Sequence, residues 1–174
     1  MSLPTPAPTL AIIALGSNLG DSAKILREAM DRLRPFSDAP ILKSSLWQTT
    51  PVDCPPGSAD FLNAVARLVP RKGETPETLL AKLQALEKEF GRLPKKILNE
   101  PRSLDLDLIA FGHETRNSPA LVLPHPRLTQ RKFVLQPLSE IAPDLVLPGQ
   151  KETVAQLLAG VRSDEIINRQ DESV

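Results

Sequence analysis

The sequence predicts an α+β fold with a ferredoxin-like β-α-β-β-α-β core. Apolar residues repeat every two positions in some segments and with helical spacing in others, and these segments follow one another in that order. Right-handed crossovers would place both core helices on one face of an antiparallel sheet. Additional C-terminal helices could cover the other face, which would complete a three-layer α/β/α sandwich. A chain of 174 residues is long enough for one domain with a substantial hydrophobic core.

The first half of the chain is expected to supply three strands and one helix. An apolar run over residues 10–15 predicts a buried strand. Residues 22–36 have an apolar stripe at helical spacing, and Asp21 or Ser22 could cap the helix that they form. Residues 42–49 and 60–69 are the next two strand candidates, separated by a loop rich in proline.

The second half is expected to supply the other core helix, the fourth strand and the C-terminal helices. Thr75 followed by Pro76 is a strong helix start, and Gly91 fits the end of that helix. A strand is predicted over residues 104–111. Two more segments have helical periodicity: residues 133–141 and 153–161.

The ends of the chain are expected to be tails. Residues 1–9 contain three prolines and are predicted to form a flexible N-terminal tail. Residues 10–165 are predicted to form a single domain, and residues 166–174 a C-terminal tail.

Composition excludes several classes of protein. The chain has 21 basic and 21 acidic residues, and a net charge of zero disfavours binding to nucleic acid or to an anionic membrane. Cys54 is the only cysteine, so neither an internal disulfide nor a cysteine-rich zinc site can form. The sequence has no apolar run of membrane-spanning length and no signal-peptide pattern at its start. A cytoplasmic location is therefore expected, and a monomer is the default expectation.

The stretch from Leu104 to Leu108 alternates apolar and acidic residues. In a strand, Asp105 and Asp107 would project from the same face, and two such carboxylates suit one or two Mg²⁺ ions. A half-buried edge strand with a solvated acidic face is the alternative. Arg92 and Arg102 lie nearby, and cations beside a metal site suggest a polyanionic ligand. Phosphoryl transfer from a nucleotide triphosphate is the resulting hypothesis.

Two other features are less specific. The loop that begins at Gly16 matches neither glycine-rich phosphate-binding pattern, so it is either a tight turn or a close approach of the backbone to a flat ligand. His125 stands between two prolines, and ligand-contacting and structural roles are equally compatible with that position. No catalytic serine or cysteine triad is evident.

Six motifs occur in a fixed order along the chain: Leu15-Gly16-Ser17-Asn18-Leu19; Phe61-Leu62-Asn63-Ala64; Glu87 with Gly91-Arg92; Pro101-Arg102-Ser103-Leu104-Asp105-Leu106-Asp107; Pro124-His125-Pro126-Arg127; and Arg131-Lys132-Phe133-Val134-Leu135, continuing to Pro143. In this order they resemble the 6-hydroxymethyl-7,8-dihydropterin pyrophosphokinase family of folate biosynthesis. The resemblance extends from about residue 12 to residue 147.

The resemblance implies an activity and a set of site residues. The family transfers the β,γ-pyrophosphoryl group of ATP to the pterin hydroxymethyl group and releases AMP. ATP would be the co-substrate and two Mg²⁺ ions the cofactors, held by Asp105 and Asp107, with Arg92 and Arg102 as catalytic residues. The implied ATP-binding residues are Gln84, Glu87, Leu108, His125 and Arg131. The implied pterin-binding residues are Gly16, Thr49, Val52, Phe61, Asn63 and Phe133.

The chain departs from the family pattern around the adenine and the triphosphate, at Pro94, Asn99, Glu100, Ala120 and Pro126. Two rival functions share features with this sequence. An RNA-binding module of the same element order needs exposed aromatics and a basic sheet, whereas residues 60–69 offer one phenylalanine and one arginine. Another phosphoryl-transfer enzyme with the same metal pair is excluded only by the resemblance.

Overall fold

The computed structural model describes residues 8–50, 60–91, 103–162 and 166–170. Within these ranges it has four α-helices: α1 Ser22–Leu33, α2 Pro76–Glu89, α3 Lys132–Ile141 and α4 Val154–Gly160. Its eight strands are β1 Ala11–Ser17, β2 Leu42–Lys43, β3 Trp47–Thr49, β4 Phe61–Leu68, β5 Asp105–Phe111, β6 Arg116–Asn117, β7 Val122–Leu123 and β8 Ile167–Arg169. The fold is therefore α+β, as predicted.

One antiparallel sheet organises the described residues. Its strand order is β5-β1-β4-β3-β8, and β2 also pairs with β4. β6 and β7 pair with each other outside this sheet. Because β5 lies at one end of the strand order, one side of its backbone has no strand partner in the sheet.

Side chains of β1 contribute to two hydrophobic cores on opposite faces of the sheet. Ile13 and Leu15 lie in a cluster with the buried residues of α1 and α2, whereas Ile12 lies in a cluster with those of α3 and α4. Successive side chains of a strand point to opposite faces, so one strand can serve both cores. Helices therefore pack on both faces of the sheet.

Local signals correctly place the start of α1 and both ends of α2. The Asp21 side chain accepts a hydrogen bond from the backbone of Lys24, as an N-terminal cap does. At α2, Thr75 and Thr78 form a reciprocal capping box. Gly91 follows the helix with a φ of +89°, a conformation that favours glycine.

Two elements that the sequence predicts as continuous are each split into two in the structure. The helix predicted over residues 22–36 ends at Leu33 and continues as a 3₁₀ turn over Arg34–Phe36, because Pro35 has no N–H for the next helical bond. The strand predicted over residues 42–49 becomes β2 and β3. Between them, the hydroxyl of Ser44 accepts from the backbone of Val65 at 2.9 Å and replaces a regular ladder bond.

The expected C-terminal tail needs correction. Residues Ile167–Arg169 form β8, which pairs with β3. The segment is too short and too polar for its periodicity to predict a strand, and its pairing depends on a partner far away in the sequence. Of the described helices, none is both long and apolar enough to cross a membrane.

Candidate functional site

The strand β5 presents the two aspartates as the alternating pattern predicts. Asp105 pairs with Gly16 and Asp107 with Ala14 across the ladder to β1. Leu106, between them, is only 5% exposed and belongs to the core beneath α1 and α2. Both carboxylates are half-buried and share the opposite face, so they stand beside each other on a strand fixed by core packing.

Glu87 of α2 supplies a hydrogen-bond acceptor at the edge of β5 that has no strand partner. Its carboxylate accepts a hydrogen bond from the backbone N–H of Leu106 at 2.8 Å, and the residue is 7% exposed. An edge strand has outward-pointing N–H groups without a strand partner. A buried N–H group that lacks an acceptor destabilises the folded protein. Glu87 therefore helps to fix the backbone between the two aspartates.

The outer wall of the site comes from the hairpin of β6 and β7 and the segment after it. Arg116 of β6 donates from Nε to the Glu77 carboxylate of α2 at 2.9 Å. Farther along, the backbone N–H of His125 donates to the carbonyl of Ile109 at 2.9 Å. These two attachments hold the segment against α2 and β5.

A cleft of about 370 Å³ lies between α2, the edge of β5 and this outer wall. We call it the β5 cleft. Its lining residues are Leu80, Gln84, Glu87, Asp105, Leu106, Asp107, Leu108, Pro119, Ala120, Leu121, Val122, His125 and Pro126.

His125 enters the β5 cleft as a neutral side chain. Its Nδ1 accepts a hydrogen bond from the backbone N–H of Arg127 at 3.2 Å, which assigns the proton of the neutral ring to Nε2. Burial, followed by the positive charges of Arg131 and Arg127, lowers the pKa of His125 from 6.5 to about 4. At neutral pH the ring therefore offers an Nε2–H donor.

A second group of side chains meets where β1 ends and β4 begins. The amide of Asn63, 6% exposed, donates from Nδ2 to the hydroxyl of Thr49 at 2.8 Å. Gly16 pairs with Asn63, and a Cβ at Gly16 would lie 3.1 Å from Asn63 Oδ1. Phe61, half-buried, pairs with Thr49. We call the group of Gly16, Thr49, Phe61 and Asn63 the β4 pocket.

The start of α3 carries two more of the expected residues. Phe133 is partly buried and packs against the core on the α3 side of the sheet. The guanidinium carbon of Arg131 lies 5.4 Å from the centroid of the Phe133 ring, within the range of a cation–π contact. α3 also packs against β4 and β3, the strands that carry Asn63 and Thr49.

Gly16 joins the two regions, since it pairs with Asp105 on one side and with Asn63 on the other. Neighbouring strands of a sheet are about 4.8 Å apart, so a ligand at one region adjoins a ligand at the other. Six of the expected residues line the β5 cleft: Gln84, Glu87, Asp105, Asp107, Leu108 and His125. Arg92, Arg102 and Val52 lie outside the described residues, and so do Pro94, Asn99 and Glu100.

Sequence reasoning missed part of the cleft. The side chain of Leu108 is 3% exposed and packs in the core, although the residue borders the cleft. The apolar wall includes Leu80 of α2 and, from the hairpin, Leu121 and Val122. The hairpin part was not foreseen, because β6 and β7 are too short to have a periodicity to detect. Ala120 and Pro126, which depart from the family pattern, both line the β5 cleft.

These features define the class of the molecule: an α+β protein with a polar cleft along the edge of its sheet and a pair of carboxylates beside it. Residues 12–143 match the family model described as 7,8-dihydro-6-hydroxymethylpterin-pyrophosphokinase (HPPK). The match covers more than half of the chain, and the chain belongs to this family.

Proteins of known name agree with this assignment. The chain is 36% identical over 151 residues to a 2-amino-4-hydroxy-6-hydroxymethyldihydropteridine pyrophosphokinase of Synechocystis, covering 87% of this chain and 75% of that protein. It is 37% identical over 142 residues to the protein of the same name from Haemophilus influenzae, covering 81% and 86%.

Longer proteins contain a similar region. The folic acid synthesis protein fol1 of Pneumocystis carinii is 41% identical over 137 residues, which are 78% of this chain but 18% of that protein. A solved structure of wild-type HPPK-DHPS from Plasmodium falciparum has a TM-score of 0.65 at 13% identity. That alignment covers 88% of this chain and 44% of the other, and it shows similarity of fold.

Proposed function

We propose that this chain transfers pyrophosphate from ATP to the hydroxyl of 6-hydroxymethyl-7,8-dihydropterin, giving AMP and the pterin diphosphate in folate biosynthesis. Membership of the HPPK family and the names of the bacterial relatives support this activity. The observation that carries it is the position of Gly16 between Asp105 and Asn63. That pairing brings a carboxylate pair suited to a metal–triphosphate next to an amide suited to a heterocycle.

The donor set at β5 fits Mg²⁺. Mg²⁺ in nucleotide sites is commonly bound by one or two carboxylates together with phosphate oxygens and water. Among the described residues no group of three or more acidic, histidine or cysteine side chains could hold a metal, so Asp105 and Asp107 would share the ions with the triphosphate. Bound there, two Mg²⁺ ions would neutralise charge that develops on the phosphate oxygens.

The side chains around the β5 cleft suit a triphosphate and a base. The Nε2–H of His125 would donate to a phosphate oxygen without being charged. Arg131, with Arg92 and Arg102 from outside the described residues, would supply the positive charge. The apolar wall of Leu80, Leu121 and Val122 would lie against adenine, with Gln84 at its margin.

The β4 pocket suits a flat heterocycle. Phe61 and Phe133 would stack on the two faces of the pterin. An asparagine amide can donate two hydrogen bonds and accept others, so a bond to Thr49 leaves capacity to read the edge of the ring. Gly16 has no Cβ and so leaves room for the Asn63 amide oxygen. The backbone of Thr49 and Val52 would approach the same edge of the ring.

We also propose a more specific fold, a ferredoxin-like core with helices on both faces of the sheet. The sheet order β5-β1-β4-β3 and the two cores support a ferredoxin-like core in a three-layer α/β/α sandwich. A single domain that begins at residue 10 and includes β8, and a cytoplasmic monomer without nucleic-acid or membrane partners, remain predictions.

The test is to incubate the protein with ATP, Mg²⁺ and the pterin and to identify the nucleotide product. AMP and the pterin diphosphate are expected in equal amounts, and AMP should not form without the pterin. ADP in place of AMP would indicate transfer of a single phosphoryl group, and absence of turnover would contradict the proposal.

A further inference from the structure

The C-terminal strand β8 lies against the strand that supports the β4 pocket. Its residues, Ile167–Arg169, lie beyond the 12–143 range matched by the family model. The antiparallel register places Ile167 opposite Thr49 and Asn168 opposite Gln48. An element outside the family match therefore pairs directly with the strand whose last residue is Thr49.

Hydrogen bonds join β8 to both ends of β3. Beside Thr49, the backbone N–H of Thr50 donates to the carbonyl of Ile166 at 3.1 Å, and the Thr50 hydroxyl accepts from the Ile166 N–H at 3.1 Å. At the other end, the Gln170 N–H donates to the carbonyl of Leu46 at 2.8 Å. The side chain of Gln170 also donates to that of Gln48 at 2.5 Å. The pairing thus spans the whole of β3.

The two ends of β3 differ in their other supports. Near its start, the Glu140 carboxylate of α3 accepts from the Ser45 backbone at 2.7 Å and from the Trp47 indole at 3.3 Å. At the Thr49 end, the hydrogen-bonded neighbours within the described ranges are on β4 and β8. Without β8, that end would be the edge of the sheet and would fray first.

We propose that β8 is a positioning element for the β4 pocket and acts through Thr49. Thr49 Oγ1 receives the Asn63 amide hydrogen at 2.8 Å, so the position of β3 determines the orientation of the Asn63 side chain. An amide that reads a heterocycle discriminates only while its donor and acceptor stay aligned. The inference rests on the function proposed above and assigns β8 a part in pterin affinity.

Two proline variants distinguish the loss of β8 pairing from the mere introduction of a proline into β8. Hydrogen-bonded pairs alternate along antiparallel strands, and the pairs of Ile166 with Thr50 and Gln170 with Leu46 are both bonded. The pair of Asn168 with Gln48 must then be bonded as well, and the Arg169 N–H points away from β3. Asn168→Pro removes a ladder donor, whereas Arg169→Pro places the same ring where no ladder donor is lost.

The measurement is calorimetric affinity for the pterin, with a saturating non-hydrolysable ATP analogue, and separately for the analogue. Asn168→Pro should raise the pterin Kd about tenfold, as expected for one misplaced hydrogen bond. Its nucleotide Kd, and both constants of Arg169→Pro, should stay within about twofold of wild type. An unchanged pterin Kd in Asn168→Pro, an equal loss of both ligands, or an equal loss in the control would overturn the proposal.

A replacement variant and the wild-type control distinguish a failure of this inference from a failure of the proposed function. If Asn168→Pro does not fold, Thr50→Val replaces it, because valine keeps the shape but removes the acceptor of the Ile166 N–H; a rise in pterin Kd of about threefold is expected. Wild-type protein that binds no pterin would refute the proposed function and this inference together. Wild-type binding with no change in the β8 variants would refute the inference alone.

Discussion

The β5 cleft and the β4 pocket adjoin at Gly16 but are held together differently. In the cleft, side chains from distant parts of the chain attach to backbone or to one another, as Glu87 does to Leu106 and Arg116 to Glu77. In the pocket, the register of three paired strands brings Gly16, Asn63 and Thr49 together. Losing a cleft contact should therefore affect stability, whereas changing a pocket residue should mainly affect ligand affinity.

The largest effect is expected at the carboxylate pair. Asp107→Asn should lower the rate of AMP formation by about 10²- to 10³-fold, because Mg²⁺, which would stabilise the charge developing on the phosphate oxygens, loses a carboxylate ligand. Its melting temperature, measured alongside, shows whether the variant is folded. Asp144→Asn, the same change at an exposed position, is the control. Near-normal turnover in folded Asp107→Asn would exclude the metal-binding role.

A change in the β4 pocket should affect one ligand only. Asn63→Ala is expected to weaken pterin binding by about 10- to 100-fold, because polar groups of the bound ring then lack a partner. Nucleotide affinity should be unchanged, since Asn63 is not among the residues that line the β5 cleft. Calorimetry with each ligand provides the comparison, and parallel losses for both ligands would show that the two regions are not independent.

Two residues of α2 that both line the cleft should behave differently. Glu87→Ala should lower the free energy of unfolding by about 1–3 kcal/mol, because it leaves the Leu106 N–H without this acceptor. Gln84→Ala, at an exposed position on the same helix, should change it by less than about 0.5 kcal/mol. Urea unfolding measures both. Wild-type stability in Glu87→Ala, combined with lost nucleotide binding, would show that this carboxylate acts on the ligand instead.

The last effect appears only when the pH is lowered, and it concerns His125. Its pKa is lowered from 6.5 to about 4 in the folded protein, so the unfolded chain binds more protons between these values. Stability should consequently decrease as the pH falls from about 6.5 to about 4, and this contribution should disappear in His125→Gln. NMR titration of the ring in the ligand-free protein checks the pKa directly; a midpoint near 6.5 would contradict the effect of burial.

The β5 cleft was less predictable from the sequence than the β4 pocket. Alternation predicted the shared face of Asp105 and Asp107, and family motifs indicated Gly16 and Asn63. No pattern indicated that Glu87 would accept from the Leu106 backbone, because that bond depends on how α2 lies against the edge of the sheet. The hairpin wall was missed for a similar reason, since β6 and β7 each have only two residues.

The sequence by itself determined the features that depend on neighbouring residues. The caps at Asp21 and Thr75, the helix end at Gly91 and the alternation along β5 are local, and their chemistry is the same wherever the element lies. Only the tertiary structure decided the pairing of β8 with β3, in which Ile166 and Thr50 are 116 residues apart. Partners at such distances are chosen by sheet register and available edges, which only the folded chain defines.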